Sequence, residues 1–262
     1  MVGGCGSTDA RQISDLGSAR GAIESHQHVR ITGQADHKDW LHERGQPWRE
    51  KVEVVAMDGF TGFKTAAAEE VPQAVAVMDP FHVIRLAGDA LDACRRRVQQ
   101  QIHGRRGRKK DPLYQARRTL LTGAGLLTES QQARLEGLFA DPRHAEVHAV
   151  WGVYQRMITA YREPDRKLGK FTLEHLIDSL TTGVPAVLVE VRRLGATLTR
   201  RAQDVLAYFE RPGTSNGPTE AINGRLEHLR GTALGFRNLT NYITRSLLET
   251  GGFRPHLHPQ MR

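Results

Sequence analysis

Four residues have the type and placement to do chemistry: Asp58, Asp79, His82 and Glu220. Asp58 closes the short β-branched run Lys51–Met57 and is followed by Gly59. In open α/β sheets, sites form just beyond the carboxyl ends of strands. A carboxylate there can hold a hard divalent cation such as magnesium, although Asp-Gly also makes an ordinary turn. Asp79-Pro80-Phe81-His82 follows a second apolar run, Ala74–Met78. Asp is a favoured N-cap and Pro a favoured first helical residue, so the pair can simply start a helix. The His-carboxylate spacing of three can also orient a phosphate or a neighbouring acid. Glu220 lies in the stretch Thr214-Ser215-Asn216-Gly217-Pro218-Thr219-Glu220, a turn signal running into a helical start. There it can serve the helix dipole, or reach a metal held by Asp58.

A second kind of chemistry lies in the cations. The chain has 262 residues and a formal net charge of +8. Residues 95–118 carry ten basic side chains against one acid, and residues 192–262 carry eleven against five. The rest is net acidic. Concentrated positive blocks favour a polyanion, most often nucleic acid, through phosphate contact and counterion release. The candidates are Arg95, Arg96, Arg97, Arg105, Arg106, Arg108, Lys109 and Lys110 in the first block. In the second they are Arg225, Arg230 and Arg237, with Arg245, Phe236 and Tyr242 interleaved.

The elements that must position these groups follow from periodicity. Lys51–Met57 and Ala74–Met78 read as strands, and 61–70 as a helix between them: a βαβ unit with a parallel pair. After Pro80 the pattern turns helical. It predicts helices over 81–103, 113–121, 129–139, 143–162, 171–181, about 185–209, one from near Pro218, and 239–250. Residues 1–37 show no persistent period, apart from a candidate strand at 28–32. No apolar run approaches the roughly 20 residues of a membrane helix. Two cysteines, Cys5 and Cys94, can build neither a disulfide scaffold nor a four-cysteine zinc site.

The stretches VEVVAMDGFTGFKTAAAEE, AVAVMDPFHVIRLAGDALDACRRRVQQ and TSNGPTEAINGRLEHLRGTALGFRN, in that order, resemble the DDE transposases of bacterial insertion sequences, specifically the ISL-three family. The resemblance covers roughly 39–254. It implies an α/β fold, mostly α overall: a partial RNase-H-like core interrupted by a large all-helical insertion. The implied division is an irregular segment 1–38, a core piece 39–80, the insertion 81–210, C-terminal core helices 211–254 with the final Glu, and a tail 255–262. Asp58 matches the second catalytic Asp, and Glu220 the final catalytic Glu. Asp79 and His82 match an acid-x-x-His element, and an alternative reading makes Asp79 the second catalytic Asp. Asp58 and Glu220 would hold magnesium, two ions in the family. The substrate would be DNA at transposon ends and target, in a cytoplasmic, nucleoid-associated bacterial protein with no membrane partner.

This sequence also departs from the pattern. Family members begin with a zinc ribbon and a helix-turn-helix, and carry the first catalytic Asp on the first core strand. Here Asp9, Asp15 and Asp36 lie in the irregular segment. The expectation is therefore a 5′-truncated or frame-disrupted copy, inactive by itself for want of the first Asp. The alternative is a non-catalytic DNA-binding remnant that modulates a full-length transposase by mixed assembly. The strand ending at Asp58 would lack its usual neighbour, and its unpaired edge would favour self-association.

Overall fold

The computed structural model describes residues 12–14, 34–57, 61–211 and 213–250. The chain is mostly helical, and it divides into two compact units. The first comprises 1–79 and 213–262, the second 80–212.

The first unit is built on a three-stranded parallel sheet in the order β1 (Gln12–Ser14), β2 (Val54–Met57), β3 (Val75–Met78). The register pairs Ser14 with Ala56 and Met57 with Met78. Valines dominate β2 and β3 because branched side chains fit a pleated, buried surface. The ladder is extended at both ends, where Val75 N donates to Glu53 O and Asp79 N to Met57 O. α1 (Gln34–Glu43) packs on α3 (Thr61–Glu70), which links β2 to β3; the short α2 (Gln46–Arg49) lies between α1 and β2 in sequence. Trp40, Leu41, Val52, Val55, Met57, Ala67 and Val71 form the core. Glu70 receives Arg49 and His42, and Lys38 reaches Glu69 at 2.5 Å.

Two expectations fail here. The segment 1–38, read as irregular, contains β1 and the start of α1. The edge of β2 read as unpaired is occupied by β1 over three register pairs. Gln-Ile-Ser is too short to show an alternating period, so only pairing to β2 reveals it. The candidate strand at 28–32 lies outside the described residues.

Two helices return to this unit from the C-terminal side, α11 (Gly217–Thr232) and α12 (Leu239–Thr250), and they pack on each other. Between them Leu234 adopts φ 52°, and Gly235 N donates to Arg230 O at 2.9 Å, a left-handed close to α11.

The second unit is helical. α4 (Pro80–His103) buries Val83, Ala87, Leu91, Cys94 and Val98 on one stripe. That stripe packs against α7 (Ala145–Arg162), which buries Val147, Val150, Tyr154 and Met157. α5 (Pro112–Gln115), α6 (Glu129–Phe139), α8 (Arg166–Thr181), α9 (Val189–Arg200) and α10 (Ala202–Glu210) complete it. Helix α8 starts five residues before the expected 171, because the Asp165 carboxylate caps Lys167 N and Leu168 N. The single helix expected over 185–209 is two. Arg201, at φ −109° and ψ 12°, separates them, and its guanidinium is buried against Asp204 at 2.7 Å. Gly195 permits the α8–α9 crossing: a Cβ there would sit 2.5 Å from Leu180 O.

Candidate active site

β2 and β3 run parallel, so both deliver their carboxyl ends to the same side of the sheet. β2 ends at Met57, and Asp58 is the next residue in sequence; it lies outside the described residues. β3 ends at Met78, next to Asp79, which is 3% exposed. One Asp79 carboxylate oxygen accepts two hydrogen bonds across more than 130 residues of sequence. The donors are Ser215 Oγ at 3.0 Å and Asn216 N at 2.5 Å. Ser215 Oγ also accepts from Gly217 N at 3.0 Å, and Glu220 N donates to Asn216 O at 3.0 Å. The turn before α11 is thus tied to the end of β3 by a buried carboxylate. Glu220 sits in the first turn of α11 with an exposed side chain.

This geometry bears on the alternative in which Asp79 is the second catalytic Asp. One oxygen of this carboxylate holds a distant backbone N–H and a hydroxyl, a structural task whatever else the group does. The sequence left Asp79 open between a local helix cap and a catalytic acid; what it did not show was the bond to a distant turn. Asn216 was missed as well. It is 1% exposed, and its Oδ1 has no hydrogen-bond partner among the described residues. The Ser-Asn-Gly signal was visible, but only as a turn.

His82 belongs to the second unit, on the first turn of α4, with its ring edge-on to Phe81 at 5.5 Å.

Magnesium demands oxygen ligands. The carboxylates of Asp58 and Glu220 have that chemistry, and the orphaned Asn216 Oδ1 is a further buried oxygen near the start of α11. Among the described residues, no three His, Cys, Asp or Glu side chains cluster closely enough to hold a metal. The donor types therefore fit the ion, with Asp58 the member that falls outside the described residues.

The basic block sorts into two groups. Arg95 is buried, and Asp92 holds its guanidinium at 2.6 and 2.8 Å. Arg97 takes Glu190 in a bidentate pair at 2.8 and 2.9 Å and Glu146 at 2.7 Å, tying α4 to α9 and α7. The pairing raises Arg97 further above its usual range and holds Glu190 below the usual carboxylate range. Arg105 clamps Asp111 at 2.8 and 3.0 Å, and Arg108 N caps the same carboxylate at 2.6 Å. Arg95, Arg97 and Arg105, expected to bind DNA, are thus committed to internal partners. Arg96 is exposed beside Asp92 at 2.9 Å. Arg106, Arg108, Lys109 and Lys110 are exposed. In the other unit Arg225, Arg230 and Arg237 are exposed on and after α11, with Glu227 at 3.5 Å from Arg230. Burial pushes the Cys94 thiol up to about 12, which leaves it unreactive.

Comparison with known proteins supplies the class. A family model described as Transposase, of the DDE type and ISL3 group, matches residues 28–246, and the chain belongs to that family. Among curated proteins it is similar to the transposases for insertion sequence element IS1557 from Mycobacterium tuberculosis strains CDC 1551 / Oshkosh and ATCC 25618 / H37Rv. Each is 28% identical over 233 residues, covering 79% of this chain and 51% of the relative. The chain thus spans about half the length of the curated relatives it matches. No solved structure matches it. Among the described residues no helix is long and apolar enough to cross a membrane.

Proposed function

We propose that this chain carries the catalytic core of an insertion-sequence transposase, RNase-H-like in design, acting on DNA at transposon ends and target by phosphoryl transfer. The observation that carries the reading is the Asp79 tie. It brings the turn before the Glu220 helix to the end of β3, in a sheet whose neighbouring strand leads directly into Asp58. Asp79 is then a positioning residue, and Asp58 and Glu220 are the metal-holding carboxylates. The third carboxylate is assigned to Asp15, the residue that follows β1 in sequence as Asp58 follows β2. Magnesium bound there would activate water or a 3′-hydroxyl and stabilise the leaving oxygen. In the reaction a new P–O bond forms to the attacking oxygen, and the bond to the 3′-oxygen of the leaving strand breaks. Exposed cations on α11 and in the helical unit would neutralise the flanking phosphates without reading bases.

A second reading, a non-catalytic DNA-binding relative that modulates a full-length transposase, rests on the exposed cations of the helical unit and of α11, which can hold phosphates without any acid. Strand cleavage and strand transfer on labelled element-end DNA with magnesium or manganese separates the two. The catalytic reading expects cleavage that disappears in Asp15→Ala, Asp58→Ala and Glu220→Ala. Loss of a metal ligand should lower the rate by about a thousandfold or more, which is about 4 kcal/mol of barrier. DNA binding without cleavage at any metal concentration supports the second reading and sinks the first.

A further inference from the structure

The helical unit contains an open cleft of about 530 Å³ lined by Lys109, Tyr114, Gln115, Arg117 and Arg134. Three of the five are cations and none is a carboxylate. We propose that this cleft is a DNA backbone-binding subsite, in which Lys109, Arg117 and Arg134 hold successive phosphates along the face of Tyr114. The choice of DNA as the polyanion rests on the transposase reading.

Three features set the cleft apart from an ordinary basic surface. First, its arginine is preorganised. The Arg117 guanidinium lies 4.3 Å over the Tyr114 ring and donates to Tyr114 O at 2.8 Å. A planar guanidinium fixed in this way gives up less freedom when it meets a phosphate than a free lysine does. Second, the loop that supplies Lys109 is fastened from within. Arg105 and Arg108 N engage the buried Asp111, and Gln115 Nε2 donates to Lys109 O at 3.0 Å. The one acid of this basic block is thereby consumed as an internal rivet, and Asp111 is held well below the usual carboxylate range. Third, the cations not spent on internal pairs adjoin the cleft in sequence. Arg106, Arg108, Lys110 and Arg118 are all exposed. Arg95 and Arg97, at the start of the same block, are locked into ion pairs and contribute no free charge. Within this block the positive surface therefore lies around 106–118 and is completed by Arg134 from α6, a residue outside the block altogether.

The test is the salt dependence of binding of the full chain to a short labelled duplex, read by fluorescence anisotropy. The Lys109→Gln/Arg134→Gln double variant alters two exposed side chains and leaves the Arg117–Tyr114 stack in place. It should flatten the log-log salt slope by about 2, because each neutralised phosphate contributes about 0.9. At low salt it should weaken binding by about tenfold or more. Arg166→Gln/Lys167→Gln removes the same charge from exposed positions at the start of α8 that do not line the cleft. It should change the slope by less than about 0.5. Equal slopes for the two double variants would overturn the proposal, since net charge alone would then explain binding. Arg117→Lys keeps the charge and loses the stack, and a several-fold weaker complex supports the preorganised role. Inorganic phosphate that competes as well as duplex of equal phosphate content would make the cleft a free-anion site and overturn the DNA assignment. Binding needs no cleavage. A chain that binds through the cleft without cutting sinks only the active-site reading, and one that cuts while both double variants bind alike sinks only the cleft.

Discussion

The two units hold themselves together differently. The helical unit rests on stripes of fully buried Leu, Val and Met along α4, α7, α8 and α9. Each such side chain is worth about 1.5–3 kcal/mol, and its polar contacts are mainly rivets at the rim. Among the described residues the sheet unit shows a smaller apolar cluster around Trp40 and β2, and α11, which carries Glu220, has no buried residue. It relies on single polar contacts to fix its geometry. In the proposed reading the site would hold carboxylates, DNA and metal and so could not be sealed in hydrocarbon; its precision would come from buried hydrogen bonds such as those of Asp79.

The largest effect is expected at Asp79. Asp79→Ala leaves Asn216 N–H buried without its acceptor and frees the turn before α11. A loss of about 3 kcal/mol of local stability is expected, because hydrogen bonds to charged groups contribute about 1.5–3 each. Hydrogen exchange should show it as lost protection over 215–224 with the helical unit unchanged. Asp79→Asn, which keeps an acceptor oxygen, should recover much of it. Equal loss of protection across both units would dissolve the contrast.

The second test is pH. His37 is fully buried against Phe63 and Trp40, and neither ring nitrogen has a hydrogen-bond partner among the described residues. Burial lowers its pKa to about 4. A histidine lowered in the fold is protonated first in the unfolded chain. Stability is therefore complete above the unfolded value of about 6.5 and falls as pH drops towards 4. Between pH 8 and pH 5 the sheet unit should lose about 2 kcal/mol. His37→Leu should remove most of that slope, and a slope unchanged in the variant would exclude His37 as its source.

The smallest effect is expected in the helical unit. Arg97→Met removes the pair to Glu190 and Glu146 but retains an apolar stem against α9. A loss of about 1–2 kcal/mol is expected, read as the melting temperature of that unit, since the partners are only partly buried and water can reach them. A loss larger than that of Asp79→Ala would mean that polar contacts, not apolar packing, dominate the helical unit as well.

Much of the fold was legible because its signals are local. Val52-Glu53-Val54-Val55-Ala56-Met57 and Ala74–Met78 are bounded by turns, so β2 and β3 could be read, together with their parallel pairing through α3. The stripe of α4 repeats over many turns and gave the 81–103 helix almost to the residue. β1 could not be read. Three residues carry no period, and what makes them a strand is the free edge of β2 some 40 residues away. The early start of α8 needed the rotamer of Asp165, and the break at Arg201 needed the buried Asp204.

For the site, residue types and order were enough to single out Asp58, Asp79, His82 and Glu220, because motif chemistry is written in side chains. That Asp79 also ties a distant turn was not legible, because a carboxylate looks the same in sequence whether it faces solvent or a backbone amide. Only the tertiary structure spent Asp79 on Ser215 and Asn216, and Arg95, Arg97 and Arg105 on Asp92, Glu190 and Asp111. Net charge is a sum over the sequence, whereas available charge is what remains after folding has paired it. The sequence by itself determined that this chain is basic, helical after residue 80 and of transposase ancestry, and the fold decided which of its acids and arginines are committed to internal partners.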